Sequence, residues 1–139
     1  MDKSKLISLA LEARQMSYAP YSHFKVGAAL LTTEGNVYKG CNIENAAYTP
    51  TNCAERTAFF KAVSEGEYDF AAIAIVGGLE DAKELDYCAP CGVCRQVMME
   101  FCDPESFEVI IAKSPSEYKV LKLEEMIPLG FGPSNLNAK

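Results

Sequence analysis

Two short stretches constrain this chain more than any others: Asn52-Cys53-Ala54-Glu55-Arg56 and Pro90-Cys91-Gly92-Val93-Cys94. Each reads as the first turn of a helix, with Asn52 as N-cap before the helix-forming run 53–63 and Pro90 at the first helical position. Three thiols and one nearby carboxyl are the inventory of a catalytic zinc site: three protein ligands, an open fourth position for water, and a group to move its proton. A helix N-terminus favours thiolate, because its free N–H groups and macrodipole lower the thiol pKa. Whatever the chain folds into must bring these two turns together.

The order of elements predicts how. Apolar residues at helical spacing place a helix over about residues 4–18, stopped by Pro20. A buried strand 24–32, a turn at Glu34-Gly35-Asn36 and a partner strand 37–41 make a hairpin. After an irregular stretch come the helix at Cys53, closed by Gly66, and a central strand 70–76 ended by Gly77-Gly78. A charged loop 79–89 leads to the helix 90–102, then to strands 107–112 and 118–123 and a helical turn at 124–127. The expected fold is α/β: a single domain over residues 1–139, three α/β/α layers around a mixed five-stranded sheet. Strands 37–41 and 70–76 should run parallel and end at one sheet edge, where ligands of open α/β sheets bind. Cys53 and the Cys91/Cys94 pair then converge.

Composition narrows the partners. A net charge of −6 and a pI near 4.8 argue against nucleic acid, which is gripped by clustered Lys and Arg. The start, Met1-Asp2-Lys3-Ser4-Lys5, lacks the apolar core of a signal peptide, and the strongly apolar run 70–76 is far below the ~20 residues that span a bilayer. A cytoplasmic, reducing setting is expected, in which the six cysteines serve metal binding or catalysis rather than disulfides. Cys41 and Cys102 read as ordinary buried thiols.

The ligand set has rivals. Cys88-x-x-Cys91 is as good a spacing as Cys91-x-x-Cys94, although Pro90 leaves Cys88 in the loop while the other two sit under the helix dipole. Cys53, Cys88, Cys91 and Cys94 could instead close a structural four-cysteine zinc. The run 88–94 with Cys102 also resembles an iron–sulfur pattern, with its last interval too long. Asn52-x-x-Glu55 is close to a capping box, and residues two apart on a helix lie about 200° apart, so spacing alone does not aim Glu55 at an ion. The combination of Cys-Ala-Glu with Pro-Cys-x-x-Cys favours the three-cysteine variant of the zinc-deaminase signature.

Five segments then carry a resemblance: Phe24-Lys-Val-Gly-Ala-Ala-Leu30, Asn42-Ile-Glu-Asn-Ala-Ala-Tyr48, Cys53-Ala-Glu-Arg-Thr-Ala58, Pro90-Cys-Gly-Val-Cys-Arg-Gln96 and Ile127-Pro-Leu-Gly-Phe-Gly-Pro133. Together they resemble the short, homotetrameric cytidine deaminases, with a departure at Thr49-Pro50-Thr51. The resemblance implies one Zn²⁺ per chain on Cys53, Cys91 and Cys94, with Glu55 as proton shuttle and Arg56 withdrawing charge from the thiolates. It implies hydrolytic deamination of cytidine and deoxycytidine in pyrimidine salvage. Phe24, Asn42, Glu44 and Ala54 are the implied substrate contacts, and Ala46, Tyr48 and Phe131 the contacts to a neighbouring subunit's ligand.

Some of this also follows from residue chemistry. Asn42 and Glu44, two apart on an extended segment, point the same way and suit sugar hydroxyls; Glu44 would repel a phosphate, favouring a nucleoside over a nucleotide. Phe131 lies in a Gly/Pro-rich tail with little core to join, so it is expected exposed or docked on a partner. His23 reads as a loop residue rather than a ligand.

Overall fold

In the computed structural model, residues 1–138 are described. The elements are α1 (Lys3–Arg14), β1 (Phe24–Thr32), β2 (Val37–Cys41), α2 (Ala54–Ser64), β3 (Phe70–Leu79), α3 (Gly92–Phe101), β4 (Glu108–Ser114), β5 (Glu117–Lys122) and α4 (Leu123–Met126), followed by a 3-10 turn, Pro133–Leu136. The five strands form one mixed sheet in the order β2-β1-β3-β4-β5. β1 is antiparallel to both β2 and β3, and β3 is parallel to β4. β2 and β3 therefore run the same way, and the chain leaves both at one edge of the sheet.

Period-2 alternation assigns the two faces. Ala28, Leu30, Ile73, Ile75, Val109 and Ile111 face α2 and α3, whose Phe59, Ala58 and Met98 complete that core. Ala29, Ala72, Ala74, Val76, Ile110 and Ala112 face α1, which contributes Leu6, Ile7 and Ala10. This is the expected three-layer arrangement. The alanines on the α1 side let that helix lie close: a Cβ at Gly27 would stand 2.1 Å from the Ala10 carbonyl oxygen.

Several boundaries differ from the sequence expectation, and those of α1, α2 and β3 bear on the site. α1 ends at Arg14, not near residue 18, and the chain then turns so that Tyr18 bridges Ile43. Asn52 is not an N-cap: its N–H and C=O exchange hydrogen bonds with Ile43, which holds it in extended pairing. Gly77 and Gly78 do not end β3 but pair with Val26 and Lys25. Their lack of side chain serves close approach, since a Cβ at Gly77 would come 2.8 Å from the Cys88 sulfur. Of the two cysteines expected buried, Cys102 is, whereas Cys41 is only half-buried at the end of the edge strand β2.

Candidate metal centre and active site

Cys53 and Cys91 are the N-cap residues of α2 and α3, with extended backbones (ψ 157° and 169°). Pro90 therefore precedes the cap rather than opening the helix. At an N-cap the side chain normally accepts from the second or third helical N–H. Neither cysteine makes such a bond, so both sulfurs remain turned toward each other, 3.9 Å apart. Cys94 is the third residue of α3, the position whose side chain folds back over the cap, and its sulfur lies 3.6 Å from that of Cys91.

All three sulfurs lie within 4.8 Å of one another. Zinc–sulfur bonds of about 2.3 Å at tetrahedral angles require sulfurs roughly 3.8 Å apart, so the triad fits this ion. Cys88 is outside the group, as is Cys102, which packs in the core; among the described residues no four-sulfur site forms.

The thiols are unequal because they bond to one another. Cys53 is held well below the ordinary thiol range, at about 5, by the bond from Cys94 and then by Arg56 and Cys91, against the cost of burial. Cys94, donating to Cys53 and buried, is pushed up. Arg56 reaches the Cys53 sulfur with Nη2 at 3.2 Å, and the thiols raise its own pKa in return. Its Nε is buried with no hydrogen-bond partner among the described residues.

Glu55 is only 4% exposed. Because Cys53 stands outside the helix, the two side chains are not splayed across a regular turn; both line one cavity of about 210 Å³ with Cys91, Ala54, Asn42 and Thr51. The capping-box alternative is not realised, since the Asn52 N–H is taken by Ile43. Burial, and secondarily the Cys53 charge, push the Glu55 carboxyl up to about 7.

The match to protein families decides which chemistry this geometry serves. Residues 1–110 fit the family model described as the cytidine and deoxycytidylate deaminase zinc-binding region. The chain belongs to that family. Cytidine deaminase from Sporosarcina psychrophila is 46% identical over 99% of this chain and 96% of its own length. The one from Halalkalibacterium halodurans is 47% identical over 99% of each chain. Among solved structures, cytidine deaminase from Burkholderia pseudomallei superposes with a TM-score of 0.85 at 46% identity, covering 94% of this chain and 100% of that one. The deaminase is thus a zinc enzyme whose Cys53, Cys91 and Cys94 are placed to hold the metal. No helix among the described residues is long and apolar enough to cross a membrane.

The remaining residues singled out from sequence fall around this cavity unevenly. Asn42 bonds along β1: its Oδ1 accepts from the Val26 N–H at 2.9 Å and the Ser17 hydroxyl at 2.5 Å, and its Nδ2 donates to the Phe24 carbonyl at 2.8 Å. Glu44 turns to the adjoining segment, bonding Tyr21 and Ser22, and lines a different cavity from Asn42. Phe24 opens β1 half-exposed rather than in the core. Ala46 is exposed, Tyr48 is 72% exposed with φ +64°, and Phe131 is 57% exposed, its carbonyl accepting from Gln96. His23 pairs with Glu80 at 3.2 Å, away from the sulfurs. Spacing gives no reason to single out Val26, Thr51 or Ala89, which also line the cavity; strand pairing and loop closure bring them there.

Proposed function

We propose that this deaminase hydrolyses cytidine and deoxycytidine to uridine and deoxyuridine, releasing ammonia. The observation that carries the reading is a buried carboxyl, Glu55, sharing one small cavity with two of the three converging sulfurs. Zinc held by Cys53, Cys91 and Cys94 supplies Lewis acidity that makes a water nucleophilic at neutral pH. Glu55 takes one proton of the attacking water and hands it to the ring nitrogen of cytosine, then moves the second, left on the newly added hydroxyl, to the departing amine as the carbonyl forms. A carboxyl raised to about 7 by its surroundings suits both directions of transfer. Arg56 spreads the negative charge of three thiolates through its bond to Cys53.

Ala54, at the first position of α2, walls the base pocket, while Asn42 and Glu44 take the sugar with Phe24 beside it. The whole chain works as one domain, in the cytoplasm, in pyrimidine salvage. The exposed Ala46, Tyr48 and Phe131 complete a neighbour's site in a homotetramer. The test is a fall in absorbance near the cytosine band when zinc-loaded protein meets cytidine or deoxycytidine. No fall with either, in protein carrying one zinc per chain, overturns the reading.

A further inference from the structure

Glu44, a partly buried loop carboxylate, is held by three donors. Its Oε1 accepts two backbone N–H groups, from Tyr21 at 3.0 Å and Ser22 at 3.1 Å, and its Oε2 accepts the Ser22 hydroxyl. The Ser22 oxygen in turn accepts the Phe24 N–H at 3.0 Å. With that N–H on its oxygen, the single hydroxyl hydrogen is committed to Glu44, which when ionised only accepts. A carboxylate offers about four lone-pair sites. Both on Oε1 are used and one on Oε2 is used. One remains, on the oxygen that Ser22 holds, and Glu44 lines a cavity of about 390 Å³ with Tyr21, Ser22, Tyr48 and Thr51. Thr51 also lines the zinc-side cavity, so the two spaces adjoin.

The turn presenting these donors is itself strained. His23 adopts a left-handed backbone (φ +59°), its N–H donates to the Ala19 carbonyl at 3.0 Å, and its carbonyl accepts from Glu80 at 2.8 Å. That conformation is disfavoured for a non-glycine residue, and such strain gathers at functional sites. The donors also hold the Glu44 carboxyl below its ordinary range, Ser22 foremost.

We propose that Ser22 is a positioning residue that aims the last open lone pair of Glu44 at a sugar hydroxyl, so that recognition of the sugar runs through Ser22. This rests on the assignment of Glu44 to the sugar. The test is steady-state kinetics of zinc-loaded enzyme with deoxycytidine and with 1-(tetrahydrofuran-2-yl)cytosine, which keeps the ring but has no hydroxyl. Ser22→Ala should raise KM for deoxycytidine about tenfold with kcat within about twofold, as for loss of one hydrogen bond to a charged group. It should leave both constants for the hydroxyl-free compound unchanged, and Ser22→Thr should restore the KM for deoxycytidine. Glu44→Ala should raise KM for deoxycytidine alone in the same way. If Glu44→Ala leaves KM unaltered, the sugar assignment itself fails. If Glu44→Ala raises KM while Ser22→Ala does not, or Ser22→Ala raises KM equally for both compounds, the positioning role is overturned and the Glu44 assignment stands.

Discussion

Arg56 stands to Cys53 as Cys94 stands to Cys91: in both helices the third residue folds back onto the sulfur at the N-cap, at 3.2 Å and 3.6 Å. The first pair delivers a positive charge to the cluster and the second a further thiolate. One helix-start geometry thus both builds the ligand set and offsets its charge.

Removing that charge should loosen the metal. Arg56→Ala raises the thiol pKa values, so protons compete for the sulfurs at higher pH. Zinc affinity near neutral pH should fall about 10–100-fold, as for other residues that bond metal ligands. Zinc release on acidification, followed with a chromophoric chelator, should begin at higher pH than in the parent. The acidic limb of the pH–rate profile should shift upward too.

Glu55→Gln should keep one zinc per chain and lose at least about 10²–10⁴-fold in kcat, the usual contribution of a positioned acid–base group. Turnover and metal content measured on the same preparation check it. Full zinc with undiminished turnover would remove Glu55 from the proton path.

Burial of Glu55 has a stability signature in zinc-free protein. Its folded pKa, about 7, lies above the ordinary 4.5, so between these values the folded state holds more proton than the unfolded one. Stability must therefore fall as pH rises through that window. Cys53, depressed in the folded state, acts in the opposite sense above about 5, so the comparison has to be differential. Between pH 4.5 and 7 the parent should lose about 3 kcal/mol relative to Glu55→Gln. Urea unfolding of both proteins, stripped of zinc, at four or five pH values measures this.

Gly40 sets the height of α2 over the sheet. A Cβ there would lie 2.4 Å from the Ala54 carbonyl oxygen and 2.6 Å from the Ala58 nitrogen, both backbone atoms of the helix that Cys53 caps. Gly40→Ala should cost about 1–3 kcal/mol, seen as a Tm lower by about 3–10 °C. It should weaken zinc binding as well, because the Cys53 sulfur moves with its helix. Calorimetry and metal titration read the two effects separately.

Phe131→Ala should leave zinc content unchanged and lower kcat/KM, because the ring is held outside its own chain's core at 57% exposure. On dilution, specific activity of the parent should fall in step with dissociation measured by sedimentation. A fully active monomer would refute shared active sites.

The sequence alone determined the order of elements and the layer arrangement, and it narrowed the ligands to cysteines at the starts of two helices, with Cys88 left as a rival. Those rest on local pattern: unbroken apolar runs such as residues 70–76, helical runs such as 53–63, and thiols placed where helices begin. Strand limits were legible at Phe24–Thr32 and Val37–Cys41, where turns bound the runs. Gly77 and Gly78 were misleading because a glycine admits a neighbour as readily as it breaks a strand, and only the approach of Cys88 distinguishes the two. Tertiary structure decided the rest. The cap of α2 falls on Cys53 because Asn52 is held in extended pairing with Ile43, across a loop that no spacing encodes. The placing of Glu55 in the zinc-side cavity, the position of Cys88 outside the sulfur group and the grip of Ser22 on Glu44 likewise depend on which residues distant in sequence the fold brings within reach of one another.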